Sequence, residues 1–173
     1  MQVRPMVFVF AAVAIAVACK DNKTTAPIVI VPVSKIVTFK ATLTGANENP
    51  VNTSAGTGTF TATLDTATNI LTYDLTFTGL SAGVNNGHIH GPAAVGANSG
   101  TTINFNTQPG ATFSFGATSG TGHGVTILSS SNGITATMNG DSLKKLLFAG
   151  LTYANIHTTA IPGGEIRGQI LKQ

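Results

Sequence analysis

Apolar residues alternate with polar or small ones in short runs through most of this chain. Val37, Phe39, Ala41 and Leu43 recur at every second position, as do Phe60, Ala62 and Leu64. Successive side chains of a strand point to opposite faces, so each run predicts a strand with one buried face. The turn-forming segment Asp65-Thr66-Ala67-Thr68-Asn69 follows, and the alternation resumes at Leu71, Tyr73, Leu75 and Phe77, which predicts a β-hairpin. Phe113, Phe115 and Ala117 alternate again, as do Ile134, Ala136 and Met138, and two last strands are expected over 152–158 and 165–171. One stretch has helical spacing instead. From Asp141 to Ala149, Leu143, Leu146 and Leu147 share a face, with Asp141 as a cap candidate and Gly150 as the stop. Many short strands and one short helix predict an all-β fold, a Greek-key β-sandwich or barrel.

The first residues follow a different pattern. Arg4 precedes a continuous apolar run from Met6 to Ala18. A membrane-spanning helix needs about 20 such residues, so a run of this length suits a signal peptide rather than a span. It ends in Ala16-Val17-Ala18-Cys19, which resembles the lipobox of bacterial lipoproteins, with Ala16 where Leu is usual. Cys19 is the only cysteine, so lipidation there leaves no thiol for a disulfide. Residues 1–18 are therefore expected to be a lipoprotein signal peptide, 19–35 an extended linker containing Pro27 and Pro32, and 36–173 the folded domain. The address that follows is the cell envelope, with a lipid anchor in the membrane and the domain facing the periplasm or the exterior.

Charge adds an exclusion. The chain carries a formal net charge of +3, but from Ile36 onward five cations (Lys40, Lys144, Lys145, Arg167, Lys172) meet five anions (Glu48, Asp65, Asp74, Asp141, Glu165). The excess belongs to the leader and linker. A neutral domain without a Lys/Arg stripe is not expected to bind nucleic acid. No Trp and two Tyr leave few flat aromatic platforms for a glycan. No nucleophile elbow or phosphate-binding glycine loop is present, so no enzymatic activity is expected.

Three segments concentrate the polar chemistry: Gly87-His88-Ile89-His90-Gly91, Tyr153-Ala154-Asn155-Ile156-His157-Thr158 and Gly164-Glu165-Ile166-Arg167-Gly168-Gln169-Ile170. If Ile89, Ala154, Ile156, Ile166 and Ile170 face the core, then His88, His90, Tyr153, Asn155, His157, Glu165, Arg167 and Gln169 share the other face. A loop from Gly91 to about Gly110 is expected to cover them. Two readings stay open. His88, His90 and His157 suit Cu or Zn, with Asn155, Glu165 and Arg167 as a supporting cluster. Alternatively, the histidines form a structural hydrogen-bond cluster with Glu165, Asn155 and Tyr153. Glu165 and Arg167 are expected to form a surface ion pair, and His123 reads as a loop residue.

The same residues resemble the CHRD family, the domain first named in chordin. Leu43-Thr44-Gly45-Ala46-Asn47-Glu48-Asn49-Pro50-Val51 and Ala55-Gly56-Thr57-Gly58 are similar to its opening, and His88-Ile89-His90-Gly91-Pro92-Ala93 to its centre. Tyr153 to Thr158 and Pro162 to Ile170 are similar to its ending. The resemblance covers about residues 37–171 and implies an extracellular β-domain of binding type. The His-x-His strand is also similar to the copper strand of Cu/Zn superoxide dismutase. That enzyme needs more histidines and a disulfide, so dismutase activity is not expected. The resulting expectation is a lipid-anchored, non-catalytic binding module for an extracellular protein or ligand. The alternative is an envelope protein that binds Cu or Zn.

Overall fold

The computed structural model describes residues 33–108, 110–129, 133–135 and 138–173. The expected signal peptide, Cys19 and most of the linker lie outside them. The described residues form an all-β fold with one short helix, in which a single antiparallel sheet of ten strands curls into a half-barrel.

Three long strands make the centre: β1 (Ile36–Thr44), β2 (Thr57–Asp65) and β3 (Ile70–Thr78). β2 and β3 form the expected hairpin, in unbroken register from Thr57↔Thr78 to Asp65↔Ile70. Its turn contains Asn69 at φ 58°, a left-handed conformation that Asn tolerates. Around this centre lie β4 (Val84–His90), β5 (Thr101–Asn104), β6 (Thr112–Phe113), β7 (Gly120–Ile127), β10 (Tyr153–Thr158), β11 (Ile166–Gln169) and β12 (Leu171–Lys172). The order across the sheet is β5-β4-β10-β11-β1-β2-β3-β7-β6, with β12 also paired to β1. A separate pair, β8 (Gly133–Thr135) and β9 (Met138–Asn139), leads into α1 (Gly140–Ala149).

The alternating residues meet in one core. Phe39, Leu43, Phe60, Leu64, Leu71, Tyr73 and Leu75 are all buried, and Ile89, Ile103, Ala154, Ile156, Ile166 and Ile170 join them from the other strands. Burying each of the Leu, Ile and Phe side chains contributes about 1.5–3 kcal/mol. Leu143 and Leu147 of α1 pack on the same core, and Gly150 closes the helix at φ 67°. The cap is Asn139 rather than Asp141: its side chain accepts from the Ser142 N–H, which satisfies one of the free amides of the first turn.

Two local expectations fail. Phe113 to Ala117 do not form a continuous strand, since β6 ends at Phe113 and Phe115 is exposed. His123 is no loop residue. It lies in β7, paired with Asp74 of β3, and its Nδ1 is 2.8 Å from the Asp74 carboxylate.

Candidate functional site on the polar face

Strands β4, β10 and β11 are neighbours, and their registers fix the site. Ile89 pairs with Ala154, and both are in the core. The flanking pairs His90↔Tyr153 and His88↔Asn155 therefore lie on the opposite face, with Arg167 of β11 beside Asn155. His157 sits opposite Asn86, one step further along β10.

The histidines converge. His88 Nδ1 and His157 Nε2 are 3.0 Å apart, and one ring nitrogen from each of His88, His90 and His157 lies within 4.8 Å of the others. Backbone carbonyls hold two of the rings: His90 Nδ1 is 3.0 Å from Ser99 O and His157 Nδ1 is 2.9 Å from Pro162 O. All three are poor bases. Burial, aided by the neighbouring His157 and His90, pushes His88 down to about 4. Burial lowers His90 to about 4 as well, against the Ser99 carbonyl and with help from His157 and Arg167. Burial also lowers His157, partly offset by the Pro162 carbonyl. The rings are neutral at pH 7.

Tyr153 anchors the neighbouring ground. Its ring stacks on His90 with centroids 4.7 Å apart, and the Arg167 guanidinium carbon lies 3.4 Å from its centroid. Arg167 is buried, donating from Nη1 to Asn98 Oδ1 at 3.0 Å and from Nη2 to Ala97 O at 2.6 Å. Gln169 donates to Ala93 O at 2.8 Å. Those partners belong to the segment 91–100, which does roof the site. The roof is shorter than expected, because β5 begins at Thr101 and pairs with β4. It is also tied to the loop after β1: Asn49 Nδ2 donates to Gly96 O at 2.7 Å, and Asn98 Nδ2 to Asn49 O at 2.8 Å.

Glu165 takes no part in this arrangement. It is fully buried, and its carboxylate accepts from Ser54 Oγ, Ser81 N, Ser81 Oγ and Thr158 Oγ1 at 2.5–2.9 Å. The expected Glu165–Arg167 ion pair is absent among the described residues. Burial pushes the Glu165 carboxyl up, but the hydrogen bonds from Ser54, Thr158 and Ser81 outweigh it and hold the group below its ordinary range. The carboxylate that does reach the polar face is Glu48, which is not among the candidate site residues expected from the sequence. It accepts from Asn155 Nδ2 at 2.6 Å and is buried. Desolvation raises its pKa from 4.5 to about 7, against the Arg167 charge and the Asn155 amide. Glu48, Asn155, His90 and His157 line one small cavity of about 190 Å³. The sequence signal for Glu48 was its place in the Asn47-Glu48-Asn49-Pro50 stretch of the opening motif.

A curled antiparallel β domain with a loop-roofed polar face, its core kept on the opposite side, has the build of a binding module. The chain belongs to the CHRD domain family, whose family model matches residues 39–170. The first motif of that resemblance supplies Glu48 and Asn49, the second His88 and His90, and the last two Asn155, His157 and Arg167. No curated protein and no solved structure matches the chain.

Proposed function

We propose that this protein is a lipid-anchored CHRD domain displayed at the cell envelope, where it works as a non-catalytic binding module for an extracytoplasmic protein or ligand. The observation that carries the reading is a groove of about 530 Å³ on the polar face. It is lined by Lys40, Glu48, Val51, Val95, Arg167 and Gln169, among others. Val51 is 69% exposed and Val95 81% exposed, each on a loop that the network above holds in place. Exposed apolar tips over a buried Arg give an apolar rim and a polar, charge-bearing floor, and preorganised loops bind with less ordering cost. The leader ending at Cys19 supports the envelope address, and the neutral domain surface argues against nucleic acid.

The test has two arms. The full chain is expressed in a bacterial host with an alkyne analogue of palmitate. Label is expected in the parent and not in Cys19→Ser; label in both, or in neither, overturns the anchor. A photo-crosslinking amino acid is then placed in living cells at Val51, at Val95, or at Thr63, an exposed position of β2. Discrete adducts from the first two and none from Thr63 are expected. No adduct from Val51 or Val95, or equal adducts from all three, removes the groove as the binding surface.

A further inference from the structure

We infer that His88, His90 and His157 form a binding site for a borderline transition-metal ion, Zn or Cu, held between β4 and β10 under the rim of the roof. The inference goes beyond the groove, which none of the three histidines lines.

A backbone carbonyl only accepts hydrogen bonds, so the Nδ1 of His90 facing Ser99 O and the Nδ1 of His157 facing Pro162 O both carry the proton. In each neutral ring Nε2 is then a bare acceptor. His157 Nε2 receives the Nδ1 proton of His88 at 3.0 Å. His90 Nε2 receives nothing: the residue is 9% exposed, and this atom is buried without a hydrogen-bond partner. An orphaned buried acceptor costs roughly 1–3 kcal/mol. A fold that keeps one beside two other imidazoles has placed a lone pair where a Lewis acid fits.

The surroundings match that use. Metal-binding imidazoles commonly donate their other N–H to a carbonyl or carboxylate, which fixes tautomer and ring angle; Ser99 O and Pro162 O do this for His90 and His157. The donor atoms lie within 4.8 Å of one another. A metal with bonds of about 2.0–2.1 Å needs donors roughly 3.3 Å apart, so the triangle must close by up to about 1.5 Å on its longest side. His157 is only partly buried, which leaves its ring the freedom to close. An all-imidazole set selects Zn or Cu and disfavours Mg or Ca, which prefer oxygen. On binding, His88 shifts its proton from Nδ1 to Nε2 and offers Nδ1 to the ion; nothing is oxidised or reduced. The strand spacing supplies the rest: residues two apart on β4 face one way, and β10 brings the third donor across one strand gap.

The test uses the full chain in detergent, freed of metal with a chelator, then titrated with Zn and with Cu(II) against a chromophoric competitor. One equivalent of either ion with submicromolar affinity is expected. His90→Ala and His157→Ala should each weaken binding at least a hundredfold. His123→Ala, whose ring pairs with Asp74 elsewhere, should leave it unchanged. Absence of stoichiometric binding in the parent overturns the site, as does affinity unaltered in both variants or lost with His123→Ala. Should an alanine variant fail to fold, nitrogen NMR of the parent decides. Zn is expected to shift His90 Nε2, His157 Nε2 and His88 Nδ1 while the Nδ1 protons facing Ser99 and Pro162 persist. Imidazole signals that ignore Zn end the proposal. The crosslinking result at Val95 is independent of all these outcomes, so either reading can fail alone.

Discussion

Arg167 lies flat on Tyr153, its guanidinium carbon 3.4 Å from the ring centroid. The pair joins β10 to β11, and the same guanidinium holds the roof through Asn98 and Ala97. Lysine keeps the charge but has neither the plane to stack nor the fork to reach two acceptors. Arg167→Lys is therefore expected to cost roughly 1–3 kcal/mol in urea unfolding, because a buried charge loses its stacking partner and the two-pronged hydrogen bonding to Asn98 and Ala97. It should also speed hydrogen exchange over 91–100 more than over β2. Uniform acceleration across the domain would show that Arg167 does not anchor the roof.

Glu48 gives a pH dependence of definite sign. Its folded pKa, about 7, stands above its ordinary 4.5 because burial disfavours the carboxylate. The native state thus holds a proton that the unfolded chain has lost between those values. The stability from that proton is complete below pH 4.5 and disappears as pH rises through 7. The charged or titratable groups around it are Arg167 of β11 and the histidines His90 and His157 that line the same cavity, with the Asn155 amide of β10 as its hydrogen-bond donor. Glutamine stays neutral and still accepts from Asn155. In chelator-treated protein, Glu48→Gln should match the parent at pH 4.5 and exceed it by about 1–3 kcal/mol at pH 8.5. A difference that does not change with pH contradicts the burial argument.

The polar face was legible where strands are regular. Alternation alone put Ile89, Ala154 and Ile156 inside, and hence the three histidines on one side, because side-chain parity is a local property of a strand. It misplaced Glu165 because that residue is not in a strand. β11 starts at Ile166, and the preceding Gly164, at φ 130°, turns the chain so that the carboxylate meets Ser54 and Ser81. β7 was invisible for another reason. Its inward positions Gly122 and Gly124 are glycines, against which the rings of Phe113 and Tyr73 lie, so no apolar alternation marks the strand and His123 read as a loop residue. Glu48 was missed because only the folded chain carries that loop to Asn155, across 107 residues.

Gly164 itself is testable against its neighbour. A Cβ at Gly164 would lie 2.4 Å from Asn155 Nδ2 and 2.7 Å from Glu48 Oε1, on a backbone that L-residues rarely adopt. A Cβ at Gly163 would meet nothing within 4 Å. Gly164→Ala is expected to cost roughly 2–4 kcal/mol, combining backbone strain with displacement of a buried hydrogen bond. Gly163→Ala should stay within about 0.5 kcal/mol of the parent. Equal effects at the two positions would mean that the Glu48–Asn155 bond does not press on this turn.

Glu165 should respond to the same substitution as Glu48 with the opposite sign. Both carboxylates are buried, but four donor groups surround Glu165 and depress its pKa below the ordinary 4.5. Its contribution is present above pH 4.5 and is lost as pH falls through the folded value. In Glu165→Gln one acceptor oxygen becomes an NH₂ donor. The hydroxyls of Ser54, Ser81 and Thr158 can rotate to accept from it, but the Ser81 backbone N–H, now 2.6 Å from Oε1, can only donate. If the amide oxygen takes that N–H, the NH₂ falls at the Thr158 side, where the bond is 2.5 Å and too short for nitrogen without movement. Glu165→Gln is expected to cost about 2–4 kcal/mol in urea unfolding at pH 7. The cost should shrink as the pH falls below 4.5 and through the depressed folded value, where the parent also loses its charge. A variant as stable as the parent at pH 7 would mean that the hydroxyl cage tolerates a neutral side chain, and that the ionised carboxylate is not what holds the Ser54, Ser81 and Thr158 segments together.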